Sequence, residues 1–194
     1  MLQRVTAHLL DNVLPAAADY FGAEQELSAA YAASGQQLPA CEREAKKARR
    51  LAANAAIALD GLVDRTANEL GLSTSTVRAQ VGPLCILGSS PRAGCIERVR
   101  AVADAYKHDE LSNPQHPITS NDDVLVVAPG YGIDGFGVGK MGGVEVAVHQ
   151  DNGDLRKFLG DVPAAVRGWL QFLSNNGAVL PPNSVSVCNV KVWP

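Results

Sequence analysis

Three ionisable residues recur at four-residue intervals in the stretch CIERVRAVADAYKHDEL: Arg100, Asp104 and His108. The sequence predicts a helix over residues 95–111, and on a helix this spacing places the three side chains on one face. A carboxylate at Asp104 would favour the charged imidazolium of His108. Because a histidine can transfer protons and an arginine can hold an anion, this face is a candidate catalytic site. The alternative is a surface ladder of salt bridges without chemistry.

The second candidate is a glycine-rich stretch, PGYGIDGFGVGKMGG, which follows an apolar run. It contains a literal GxGxxG at Gly130, Gly132 and Gly135, but the residues after it cannot open the helix that a dinucleotide site requires. The Walker pattern fails as well, because Met141 stands where a magnesium-binding Ser or Thr is needed. The stretch therefore predicts no nucleotide cofactor.

Residues 130–143 have two interpretations. One is a hairpin connection with few residues that could anchor it. The other is a backbone surface that closes over a ligand or partner, since glycines permit close approach. The stretch has two aromatic residues, Tyr131 and Phe136, which a loop that only connects two strands does not need. Their presence favours the second interpretation. Its contact residues would be Gly130, Tyr131, Gly132, Phe136 and Lys140.

Four side chains at the end of the predicted helix and just beyond it are of types that bind metal ions: Asp104, His108, Asp109 and His116. A helix end and two prolines separate the two histidines, and no recognised ligand spacing joins these residues. The four cysteines lack the CxxC spacing of zinc and redox sites. We therefore expect no metal, no cofactor and four reduced thiols.

Charge and hydropathy exclude several classes of protein. The chain has 17 basic and 20 acidic residues and a net charge of -3, which argues against a dedicated nucleic-acid binder. No apolar run approaches the roughly 18 residues that a membrane span needs. The amphipathic N-terminus does not resemble a signal peptide, so we expect a cytoplasmic protein with no membrane contact.

The first 111 residues carry helical periodicity. Pro15 should kink or restart the first helix, because proline lacks an N–H group and clashes with the preceding turn. A long helix is predicted over residues 39–70, with Gly71 as its left-handed C-terminal residue. Ser73 or Ser75 can cap a short helix that follows. These elements predict an antiparallel bundle of four or five helices.

The periodicity changes after residue 121. Residues 123–128 predict a covered strand, residues 144–148 a half-solvated strand and residues 155–159 a returning strand. Asn152-Gly153 predicts a type I′ hairpin turn between the last two. A helix capped by Asp161 should follow, and the β-branched tail should add an edge strand.

These patterns together predict an α+β fold. Residues 1–111 would form the helical bundle, and residues 122–194 a small, mostly antiparallel sheet with one further helix. Residues 112–121 are predicted to be a linker between the two parts.

The predicted bundle, ending in a helix with arginine and histidine on one face, resembles the HEPN family. Members of this family are helical, form dimers and often cleave RNA without a metal, through an arginine followed by four to six residues and then a histidine. Here seven residues separate Arg100 from His108 and nine separate Arg98 from His108, so the spacing departs from the motif. The resemblance covers residues 1–111 and implies a homodimer, RNA as substrate, and Arg100 and His108 as catalytic residues.

Two functions are therefore open. The first is a non-catalytic binding or assembly module that contacts a protein or ligand partner through residues 130–143 and the end of the 95–111 helix. The second is a HEPN-like, metal-independent ribonuclease or toxin component. The string KHDELSNP…ITSNDDV…GYGIDGFGVGK also resembles bacterial proteins, which implies a bacterial or phage source and no particular activity.

Overall fold

The longest helix, α3 (Glu42–Leu70), is the axis of the helical part. The computed structural model describes residues 2–108, 111, 116–128, 133–134, 138, 140 and 143–194. Helices α2 (Leu14–Ala33) and α5 (Cys95–Lys107) both pack against α3. Its buried stripe is rich in alanine, and such small side chains let neighbouring helices approach closely. Gly71 ends α3 with a φ of 66°, as predicted.

The N-terminal segment restarts at Pro15 without leaving a helical path. Helix α1 (Gln3–His8) passes into a π-helical turn (Leu9–Val13), and α2 begins directly after it. Pro15 then occupies the first turn of α2, directly after the π-helical turn. The wider π turn is a common way to interrupt the regular hydrogen-bond ladder, here just before the proline ring.

A short helix and a small hairpin connect α3 to α5. Helix α4 (Thr74–Val81) is capped by Ser73, whose hydroxyl accepts a 3.0 Å hydrogen bond from the Thr76 amide. A 3₁₀ turn leads to a hairpin of β1 (Ile86–Leu87) and β2 (Ser90–Pro91). Arg92, which follows this hairpin and precedes α5, is buried.

The main sheet has three antiparallel strands in the order β3 (Val124–Val127), β4 (Glu145–His149) and β5 (Leu155–Lys157). Its existence and direction are as predicted, but the prediction of a half-solvated β4 is wrong, since Glu145 is fully buried. The β4–β5 turn is not type I′ either. In that turn only Gly153 has a positive φ, of 84°, whereas a type I′ turn needs two such residues.

Helix α6 (Phe158–Asn175) begins earlier than predicted and ends the returning strand at residue 157. Asp161 therefore lies inside the first turn instead of capping the helix, and no side chain caps α6. The predicted apolar stripe is buried: Val162, Val166, Trp169, Leu170 and Leu173. Gly177 follows the helix with a φ of 73°.

The C-terminal tail forms its own hairpin. In the described part of the chain β6 (Val185–Val187) pairs only with β7 (Val190–Trp193), so the prediction of an added edge strand is wrong. Cys188 and Asn189 form the two-residue turn with φ of 51° and 61°. The type I′ geometry expected at Asn152-Gly153 is therefore approached here instead.

Residues from both predicted parts share one hydrophobic core. Leu59 of α3, Val102 of α5, Val146 of β4 and Trp169 of α6 belong to the same buried cluster. The division into residues 1–111, 112–121 and 122–194 remains a prediction. Among the described helices, none combines the length and the apolar character that crossing a membrane would require.

Candidate functional site

Asp161, in the first turn of α6, is a fully buried carboxylate, as are Glu24 and Glu145. The Asp161 side chain has 0% exposure and accepts hydrogen bonds from two guanidinium groups. Arg98 of α5 donates from Nε at 2.9 Å and from Nη2 at 2.7 Å, and Arg92 donates from Nε at 2.8 Å. These charge-assisted bonds join the beginnings of α5 and α6.

Arg92 extends this cluster to Asp134, a residue of the glycine-rich stretch. Its two terminal nitrogens donate to the two Asp134 oxygens at 2.7 and 2.6 Å, a bidentate pair with planar geometry. The Asp134 side chain is 1% exposed, and it also accepts from the backbone amide of Lys157 at 2.9 Å. The Asp134 φ of 66° is one that aspartate tolerates better than most residues.

Lys140 is the second point at which the glycine-rich stretch is fixed. Its ammonium group lies 2.8 Å from Glu24 Oε2 and donates to the carbonyls of Glu24 and Val144 and to the Ser28 hydroxyl. The Glu24 carboxylate is fully buried and accepts from the Val146 amide at 2.9 Å. Glu24 thus links helix α2, strand β4 and the glycine-rich stretch.

Lys157 joins the two halves of this network. Its ammonium group lies 3.1 Å from Glu145 Oε1 and donates to the Lys140 carbonyl at 3.0 Å. Its carbonyl accepts from Arg92 at 3.0 Å. A continuous set of buried polar contacts therefore runs from α2 through the sheet to α5 and α6.

The network balances its own charges. Four cations face four carboxylates: Arg92, Arg98, Lys140 and Lys157 against Glu24, Asp134, Glu145 and Asp161. Burial opposes ionisation of Arg92 and Arg98, but their aspartate partners outweigh it and raise the pKa of both. Burial raises the pKa of Glu145, with Lys157 opposing. These buried charges are thus engaged with one another, and the partly exposed Arg156 adds a further cation 3.4 Å from Asp134.

The expectation that residues 130–143 have few anchors is wrong for the residues that the structure describes. Asp134 and Lys140 are held as above, and Val138 lies over the start of α6. A Cβ added at Gly160 would be 2.5 Å from Val138 Cγ1, so this contact requires glycine there. The other predicted contact residues lie outside the described residues: Gly130, Tyr131, Gly132 and Phe136.

The predicted catalytic face is only partly present. Arg100 Nε lies 3.4 Å from Asp104 Oδ2, as the spacing predicts. However, α5 ends at Lys107, and His108 has an extended backbone with φ of −131° and ψ of 142°. His108 is exposed and lies beyond the end of the helix, so the predicted helix face of three residues is wrong.

His116 takes the position beside Asp104 that the sequence predicts for His108. Its Nε2 lies 3.4 Å from Asp104 Oδ2, and its side chain is 6% exposed. Burial and the nearby Arg100 lower the pKa of His116, with Asp104 opposing, so its imidazole is neutral near pH 7. Lys107 connects this Asp104 cluster to Asp60 at 3.5 Å. In the described ranges no group of three or more His, Cys, Asp and Glu side chains is arranged to hold a metal ion.

From the sequence we did not identify Arg92, Glu24, Glu145 and Lys157 as site residues. Arg92 is a single charge in an apolar connection, and Glu145 lies among the valines of β4. Glu24 shares its helix with Asp19 and Glu26, and Lys157 follows Arg156 in β5. For Arg92 and Glu145 an isolated charge in an apolar element was the available signal, because such a residue must find a partner if it is buried.

The Asp161 carboxylate should dominate the stability of this network. We expect Asp161→Asn to lower the free energy of unfolding by about 3 kcal/mol or more, because it leaves two guanidinium groups without a buried counter-charge. Arg156→Met is the matched control, since Arg156 is 38% exposed and pairs with Asp134 at 3.4 Å. It should cost less than about 1 kcal/mol. Equal losses in urea unfolding would contradict the assignment.

His116 should make stability depend on pH. Its pKa is lower in the folded than in the unfolded chain, so the unfolded chain gains a proton first as the pH falls below about 6.5. The folded state therefore loses stability on acidification. We expect the loss of unfolding free energy between pH 7.5 and 5.5 to be smaller in His116→Gln than in the wild type. Identical pH profiles would show that His116 is not perturbed.

Comparisons of the chain with protein-family models, with curated proteins and with solved structures found no significant match. Functional inference therefore depends on the geometry of the chain's own residues, because a fold class by itself does not specify a function.

Proposed function

We propose that the protein is a non-catalytic binding or assembly module whose contact surface is formed by residues 130–143 and the end of α5. The observation that carries this proposal is the anchoring of Asp134 and Lys140. Two positions of a glycine-rich stretch are held by buried ion pairs that reach α2, β5 and the start of α5.

Stability alone is a weak reason for such a network. Removing water from eight ionised side chains is costly, and apolar residues of similar volume often stabilise a fold equally well or better. What the ionic contacts add is direction, since a bidentate Arg92–Asp134 pair has one favourable geometry. A network that fixes where a glycine-rich stretch lies suits a recognition surface, whose binding is strengthened by preorganisation.

A second candidate is a metal-independent ribonuclease that acts through Arg100. The observation in its favour is that His116 lies beside Asp104 and that burial and the charge of Arg100 lower its pKa. A neutral imidazole can accept a proton, and a guanidinium group can hold a phosphate. In this version His116 replaces His108 as the proton acceptor, and Lys107 lies at the exposed edge of the same cluster.

The binding proposal predicts that the two aromatic residues of the stretch carry affinity. We expect Tyr131→Ser and Phe136→Ser each to reduce recovery of a specific partner, in quantitative affinity purification from the source cells, by roughly thirtyfold. Such a loss corresponds to about 2 kcal/mol, typical of aromatic hot spots. Val179→Ser is the control, because Val179 is an apolar residue with 89% exposure outside this surface. Partner recovery that is the same in all three variants would contradict the proposal.

The ribonuclease candidate makes a different prediction from the same strains. If it holds, expression of the wild type arrests growth and degrades RNA, and Arg100→Ala or His116→Ala relieves both effects while Tyr131→Ser does not. Relief by His108→Ala and not by His116→Ala would return the catalytic role to His108. If the wild type causes no RNA degradation, the binding module is the remaining candidate.

A further inference from the structure

A cavity of about 460 Å³ opens between α2, the start of α6 and the turn of the C-terminal hairpin. This volume lies in the range of small-molecule sites. Its described lining falls into an apolar and a polar group. The apolar walls are Phe21, Leu87, Leu159 and Val190, and the polar groups are Gln25, Ser28, Lys140, Cys188 and Asn189.

Among the described residues that line this cavity, no polar group carries an uncompensated charge. The Lys140 ammonium has Glu24 as its counter-ion at 2.8 Å, and its donors are directed to Ser28 and to backbone carbonyls. Burial, with a contribution from Glu24, raises the pKa of Cys188 to about 12, so the thiol stays protonated and is a poor nucleophile. The cavity therefore favours an uncharged occupant and does not suit covalent thiol chemistry.

Two amide side chains remain for recognition. Gln25 on α2 and Asn189 in the hairpin turn make no side-chain hydrogen bond within the described residues. Each offers an adjacent donor and acceptor, the arrangement that reads a complementary edge of a ring by two hydrogen bonds. Phe21 supplies an aromatic wall, and Leu159 and Gly160 line the cavity at the uncapped beginning of α6.

We infer that this cavity binds a small, uncharged ring compound that carries a –CO–NH– edge, such as a cyclic imide or lactam. The edge pairs with the amide of Gln25 or Asn189, and the ring packs against Phe21 and the aliphatic walls. No residue of the Asp104 cluster lines this cavity, and Lys140, with its charge balanced by Glu24, belongs both to the cavity lining and to the proposed contact surface.

The probe is uridine, whose single ring N–H lies between two carbonyls, titrated into the full chain and followed by NMR. We expect saturable shifts, and binding at least about tenfold weaker for 3-methyluridine, which lacks the ring N–H donor. Of Gln25→Ala and Asn189→Gly, the variant that removes the paired amide should weaken uridine binding about tenfold, and no weakening in either variant would contradict the inference. Gln25→Trp, which fills the mouth, should abolish uridine binding. Ala33→Trp, exposed at the end of the same helix and not lining the cavity, should leave it unchanged.

Three further outcomes would overturn the inference. The first is that uridine causes no saturable NMR shifts in the folded wild-type protein. The second is equal binding of uridine and 3-methyluridine, which would remove the paired edge. The third is binding of uridine 5′-monophosphate more than about tenfold tighter than uridine, which would make the ligand class anionic. Since Gln25 is an exposed residue, loss of binding in its variants with an unchanged melting temperature is a local effect.

Discussion

The fold depends on a carboxylate that has no contact with solvent. Asp161 is compensated by Arg92 and Arg98, and these two residues lie immediately before α5 and in its first turn. Helices α5 and α6 therefore cannot separate at these ends without leaving buried charges unpaired, which is among the most costly changes a protein can undergo. Through Arg92 the same constraint reaches Asp134, and through Lys157 it reaches the main sheet.

The apolar and the ionic contacts of this fold fix the positions of its elements in different ways. The helical part is held by apolar contacts that tolerate small adjustments, because dispersion and burial have little directionality. The ionic contacts are directional, and they occur where a glycine-rich sequence offers few apolar side chains to fix its path. Glu24 has a similar role at the sheet, where its carboxylate accepts from Val146 at 2.9 Å beyond the end of β5. A carboxylate there replaces the missing strand partner.

The sequence predicted the elements of this fold better than their ends. The long helix α3, the apolar stripe of α6 and the antiparallel β3–β4–β5 sheet follow from periodicity, which is a local property. The start of α6 was misplaced because Asp161 has the residue type of a cap, whereas its partners, Arg92 and Arg98, lie more than 60 residues away. Glu145 was assigned to solvent for the same reason, since its partner Lys157 is on another strand. The prediction placed His108 beside Asp104 because it extended the helical spacing past Lys107, where the helix ends. In the structure His116 lies there instead.

A buried Arg92–Asp134 pair holds the Asp134 position of the glycine-rich stretch against the body of the protein. A double-mutant cycle with Arg92→Met and Asp134→Asn measures this directly, because asparagine tolerates the positive φ of 66° at this position. We expect a coupling free energy of about 2 kcal/mol or more, with the double variant less destabilised than the sum of the single variants. Additive losses, with a coupling near zero, would contradict this expectation.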